Sequence, residues 1–312
     1  MLLYEPGMVH GVIVIRVVFL LLRICGGGKM NYFQPLSVSD AVKIAQTTEA
    51  AFLAGGTDLV LHMQTGKIHP TALIDLGKII ELKEIKETDG YLDIGSMATF
   101  AELGRSELVS RNALALWLAC QTMGSPQIRN QATLGGNLGN CSPAADGLPP
   151  LLALGAEVHL ISRAGDEVVP LETLLSRTTI LSQGTLIRGF RIPLKGLLSG
   201  FAKLGRRRAL AIARLSVAIA IELEDNHVGK VRVALGAVGK RAFLSEALAQ
   251  ELSGEELNEA WIEKGVEGVQ RVVREALGTR ASAPYKRVAV SGVFREALGS
   301  FIPEGGQTYD GD

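Results

Sequence analysis

The chain has 312 residues, 47% of them hydrophobic and 21% charged, with 32 Lys+Arg balanced by 32 Asp+Glu. That length accommodates two or three domains around a sizeable core, and the absence of a basic excess argues against nucleic acid as a partner. Three cysteines, Cys25, Cys120 and Cys141, are too few and too scattered for a disulfide framework or an iron–sulfur site, which fits a reducing, cytoplasmic setting.

Residues 12–25 are almost wholly apolar, interrupted by Arg16 and Arg23. A membrane-spanning helix needs ~20 apolar residues, so no span is expected, and Gly26-Gly27-Gly28-Lys29 is a poor signal-peptide cleavage site. Gly-Gly-Gly-Lys-Met is what a purine-rich ribosome-binding site and start codon give when translated in frame. The expectation is therefore an extension over 1–29 and a natural start at Met30.

From Met30 the elements follow in order. A helix starts at Ser39-Asp40 with Ala41, Val42, Ile44 and Ala45 on one face. A buried strand over 51–54 enters the loop Leu53-Ala54-Gly55-Gly56-Thr57-Asp58-Leu59, a helix over 59–63 leaves it, and a strand over 71–76 follows. The next unit has a strand over 92–95, a helix from 100 to 103, and a helix over 112–123 ended by Gly124-Ser125-Pro126. Then come the loop Thr133-Leu134-Gly135-Gly136-Asn137-Leu138-Gly139-Asn140, an apolar helix over 148–154, a hairpin turning at Gly165-Asp166, and a strand over 185–192. The last region carries three strands, 200–204, 215–222 and 228–238, with Asp225-Asn226 as a turn, and helices over 244–252, 255–277 and 282–298. The polar tail after 302 reads as disordered. The implied division is 30–198, in subdomains of about 30–85 and 86–198, then 199–302.

Two glycine-paired loops about eighty residues apart carry the chemistry. Glycine permits positive φ and close approach of the main chain to a ligand, so successive N–H groups can converge on an anion. A single Gly-Gly is a tight turn as readily as a binding loop. Two, each beside a small polar residue, point to a ligand with two phosphates gripped from both sides. The five histidines, His10, His62, His69, His159 and His227, show no metal-ligand spacing, and none is placed by motif beside a glycine loop as a covalent flavin attachment site would be.

After Met30 the chain resembles the FAD-binding subunits of molybdenum-containing hydroxylases, the flavin subunits of xanthine, nicotinate and carbon monoxide dehydrogenases. The resemblance rests on five ordered stretches. They are the run from Ala54 to Leu59, the run from Gln127 to Asn137, Ser142-Pro143-Ala144-Ala145-Asp146, Phe201-Ala202-Lys203 with Arg206-Arg207, and the run from Arg280 to Arg287. It implies an α+β chain: a two-subdomain FAD-binding fold of the PCMH type, then a smaller C-terminal domain with a three-stranded antiparallel sheet and a helical bundle.

The resemblance also implies that the loops, Phe52 to Leu59 and Thr133 to Asn137, hold the FAD pyrophosphate mainly through backbone N–H groups. A side chain at Gly55, Gly56, Gly135 or Gly136 would block that approach, while Thr57, Thr133 and Asn137 add polar contacts. Asp146 matches an acid that binds a hydroxyl of the FAD sugar or ribitol, the alternative being a cap for the helix that follows. Lys203 matches a lysine near the flavin ring, where a cation stabilises an anionic reduced flavin, the alternative being a solvated strand residue. Ile187 matches a position lying against the cofactor. Arg206, Arg207 and Arg208 face either solvent or a partner. No general acid or base is required of such a chain. The implied FAD is non-covalent, and the implied partners are a large molybdenum-cofactor chain, a small chain with two-iron clusters, and NAD⁺ or another acceptor. The rivals are a stand-alone FAD oxidase or dehydrogenase with its own base, and a nucleotide-binding scaffold without redox activity.

Overall fold

A computed structural model describes residues 30–205, 212–224 and 227–302. The expectations for the 1–29 extension, the arginines 206–208, the Asp225-Asn226 turn and the 303–312 tail lie outside the described residues.

The first sheet is small and parallel: β1 (Asn31–Phe33), β2 (Ala50–Leu53) and β3 (Ala72–Asp75), in the order β1-β3-β2. The helix expected to start at Ser39-Asp40 starts earlier and spans Val38–Thr47. Ser37 is its N-cap, with the side-chain oxygen accepting from the Asp40 N–H at 3.1 Å. Val38, Ala41, Val42 and Ala45 form its buried face.

The second sheet is antiparallel: β4 (Ile85–Thr88), β5 (Tyr91–Gly95), β6 (Glu157–Ser162), β7 (Gly165–Pro170) and β8 (Leu186–Pro193), in the order β4-β5-β8-β6-β7. Ser162 pairs with Gly165, so the hairpin turns at Arg163-Ala164, two residues before the expected site. The helix expected over 112–123 spans Leu114–Thr122, and a separate helix, Glu107–Asn112, precedes it. Ala113, at φ −145° and ψ 55°, breaks the run between them.

The third sheet has four strands rather than three: β9 (Leu198–Leu204), β10 (Leu215–Glu224), β11 (His227–Gly236) and β12 (Phe243–Leu244), in the order β12-β11-β10-β9. The added strand is only two residues long, too short for a period-2 pattern, and it takes in Leu244, the residue expected to open a helix. Strand alternation divides β10 between two cores. Val217, Ile219 and Ile221 pack towards the helices Glu259–Leu277 and Ala283–Gly299, while Ala218 and Ala220 belong to the central core with Leu116 and Leu151. The alanine face lets the helices Leu114–Thr122 and Leu148–Ala153 lie close on the sheet. At Gly200 an added Cβ would stand 1.9 Å from the Ala297 carbonyl oxygen, so the C-terminal helix rests directly on β9. Gly200→Ala is expected to lower stability by about 1–3 kcal/mol, the usual cost of overpacking, read as a lower urea midpoint.

Candidate functional site

A cavity of about 290 Å³ lies between the two glycine loops. β2 delivers the first loop and the helix Leu59–Gln64 carries it away, while Thr133 caps the helix Leu134–Asn140 at the second. Of the expected residues, Phe52, Ala54, Gly55, Gly56, Thr57, Asp58, Leu59, Thr133, Gly135, Gly136, Asn137 and Ile187 line it. Leu53 and Leu134 do not: both are buried, Leu53 beside Met63 and Leu73, Leu134 in the central core.

The loops differ in what they offer an anion. Among the described residues, none accepts a hydrogen bond from the N–H groups of Gly55, Gly56, Thr57, Asp58 or Leu59. Gly56 has φ +72°, which glycine adopts at no steric cost. In the second loop the N–H groups of residues 134–137 are already engaged: Leu134 donates to Ala98 O, Gly135 to Ser96 O at 2.8 Å, Gly136 to Thr133 Oγ1 at 3.0 Å and Asn137 to Thr133 O. The unengaged N–H groups are therefore found mainly on the first loop, because the Thr133 cap and the contacts to Ser96 and Ala98 engage those of residues 134–137 on the second.

The reason for the glycines is corrected as well. A Cβ on Gly55 would lie 1.8 Å from Gln131 O, and one on Gly135 would lie 2.6 Å from the Ser96 Cβ. These two positions lack side chains so that protein can pack on protein. Gly136 keeps more open space: its Cβ would meet Thr133 Oγ1 at 3.0 Å and the Ala54 Cβ at 3.8 Å.

Behind the wall, Asn137 Oδ1 accepts from the Gly147 N–H at 3.1 Å and ties the second loop to the Asp146 turn. Asp146 and Lys203 do not line the cavity; they pair with each other, Nζ to Oδ2 at 2.6 Å, with side chains 7% and 8% exposed. Lys203 is thus no solvated strand residue, and Asp146 is no helix cap, since Gly147 is the N-cap of Leu148–Ala153 and no side chain caps it. Burial pushes the Asp146 carboxyl above its ordinary range, and the Lys203 ammonium opposes that rise. Asp146 Oδ1 and the Ser96 hydroxyl are buried without a hydrogen-bond partner among the described residues.

Sequence reasoning missed Ser96, Met97, Met123, Leu181 and Leu186, which also line the cavity. It sets aside His62 as well, yet His62 lines the same cavity as both loops. Its position one turn of helix after Asp58 is the available signal, with the His62 N–H donating to Asp58 O at 2.9 Å. Below the first loop Asp75 fixes the floor: Tyr32 and Gln34 donate to its Oδ2, and the Gly77 N–H donates to its Oδ1 at 2.8 Å. That turn presents Leu76 to the cavity. Burial raises the Tyr32 hydroxyl above its ordinary range, and its bond to Asp75 adds to the rise. Among the described residues no cluster of His, Cys, Asp or Glu could hold a metal ion, and no helix is long and apolar enough to cross a membrane.

The cavity is at the small end of the range for ligand pockets, so an extended dinucleotide such as FAD fits only with part of its length along the mouth. The unengaged N–H groups of the first loop match a diphosphate, and the apolar side chains of Phe52, Met97, Met123, Leu181, Leu186 and Ile187 suit a flat aromatic ring. The residues present fit the group.

Known proteins point the same way. Residues 28–195 match the FAD binding domain in molybdopterin dehydrogenase, and residues 201–301 match the CO dehydrogenase flavoprotein C-terminal domain. The nicotinate dehydrogenase FAD-subunit of Eubacterium barkeri is 28% identical over 277 residues, covering 85% of this chain and 94% of the relative. The carbon monoxide dehydrogenase medium chain of Hydrogenophaga pseudoflava is 27% identical over 278 residues, covering 86% and 96%. A solved structure of carbon monoxide dehydrogenase from Hydrogenophaga pseudoflava superposes with a TM-score of 0.80 at 26% identity, over 88% of this chain and 97% of that one. The chain belongs to the FAD-binding medium subunits of the molybdenum hydroxylase family and is a flavoprotein oxidoreductase subunit.

Proposed function

We propose that the chain is the electron-transfer subunit of a larger dehydrogenase, working with a large molybdenum-cofactor chain and a small chain carrying two-iron clusters. Its domains are taken as 30–198, split near 85, and 199–302, and its setting as cytoplasmic. The observation that carries the reading is the cavity between two glycine loops in a chain that matches nearly the full length of relatives named as FAD subunits and medium chains. Non-covalently bound FAD would supply the redox chemistry that links the iron–sulfur chain to NAD⁺ or another acceptor.

This chain's own residues bind and orient. The N–H groups of residues 55–59 hold the diphosphate, and Thr57 adds a hydroxyl donor. Asn137 offers its amide nitrogen to the ligand while its Oδ1 holds Gly147. Ile187 and Met123 line the cavity, where they would cover the ring and exclude water. Lys203 stands behind the site, paired with Asp146.

Affinity purification of the tagged chain, expressed with its neighbouring genes, tests the reading. The expected product is a yellow assembly containing a molybdenum chain and an iron–sulfur chain, from which trichloroacetic acid releases free FAD. A lone active oxidase acting on a small substrate would sink the subunit assignment. A colourless chain that takes up no FAD would favour a redox-inactive scaffold.

A further inference from the structure

Among the described residues the cavity is lined by two acid–base side chains, Asp58 and His62, and by no lysine or arginine. A diphosphate held there meets an acid at the start of the helix Leu59–Gln64, and His62 is the lining side chain that can carry positive charge. Helical side chains lean towards the N-terminus and lie over the preceding turn, so His62 covers the turn formed by Asp58 and Leu59. That turn bears part of the run of unengaged N–H groups. His62 is half-buried and lines the cavity, and its side chain has no hydrogen-bond or ion-pair partner among the described residues.

We propose that His62 is a phosphate-binding residue whose protonation tightens the grip on the FAD diphosphate. The inference rests on FAD occupying this cavity. The protonated ring donates to a phosphate oxygen and offsets Asp58; the neutral ring loses that charge. Two other charged side chains stand close in the chain: Asp58 at the helix start, and exposed Lys67, whose N–H donates to the His62 carbonyl at 2.9 Å. The His62 variants decide whether a pH slope belongs to this side chain or to another group, such as the Asp146 carboxyl that burial raises. The other described histidines, His69, His159 and His227, do not line the cavity.

FAD binding to the full chain, stripped of flavin and titrated by flavin fluorescence between about pH 5.5 and 8, tests the proposal. Affinity is expected to fall about tenfold as pH rises across the window, the scale of one charge-assisted hydrogen bond. His62→Gln should remove the pH dependence and bind weakly throughout. His62→Lys should bind tightly and without pH dependence, both variants keeping the circular dichroism of the unmutated chain. The proposal fails if the unmutated chain binds FAD without a pH slope. It fails equally if His62→Gln keeps the slope, even where binding is weaker at every pH, which would mark a neutral contact. An unmutated chain that binds no FAD at any pH contradicts the cavity assignment itself, a result distinct from either.

Discussion

Gly136→Val is expected to abolish FAD retention while leaving the apo fold intact, and Gly55→Val to abolish retention and lower stability as well. The two glycines look alike in sequence but face different neighbours. At Gly136 the new Cβ projects into the space between the loops, near Thr133 Oγ1 and Ala54 alone, so the valine fills room that the diphosphate needs. At Gly55 the Cβ would stand 1.8 Å from Gln131 O, which forces the loops apart. Displacing packed backbone costs at least about 1–3 kcal/mol, the range for overpacked sites. Flavin absorbance per protein and the urea midpoint together check the contrast. A Gly136→Val protein that still carries one FAD per chain would show that the space beside Gly136 is not used.

The second large effect concerns Asp146 and Lys203. Both side chains are buried and joined at 2.6 Å. Removing one partner leaves the other as an uncompensated buried charge, which costs about 3–5 kcal/mol. Asp146→Ala is therefore expected to destabilise the chain by that amount and to weaken FAD binding indirectly, by loosening the Gly147 turn that Asn137 holds. The double variant Asp146→Ala with Lys203→Met should recover most of the stability, because no buried charge remains. Urea denaturation of the single and double variants measures this coupling. Equal stability of Asp146→Ala and the unmutated chain would mean that the pair is screened by water.

What was legible in the sequence follows from how local each signal is. Both glycine loops and the strand leading into the first can be read directly, since each is a short run with its own pattern. Ile187 comes from the family resemblance alone, because one isoleucine in an apolar strand carries no signal of its own. Why Gly55 and Gly135 lack side chains was not legible, because the atoms they admit, Gln131 O and Ser96, belong to segments distant in sequence. The family resemblance implies a separate ligand contact for Asp146 and for Lys203, which are 57 residues apart, whereas in the fold they neutralise each other. His62 belongs to no motif, although its spacing from Asp58 already places it one helical turn beyond the loop.

A crystal structure of the FAD-loaded protein is the most direct test. The diphosphate oxygens should lie about 2.7–3.2 Å from backbone nitrogens between Gly55 and Leu59, with the second loop closing the opposite side. Density placing the diphosphate away from those nitrogens, or a hydrocarbon side chain occupying the space between Ala54 and Gly136, would contradict the assignment.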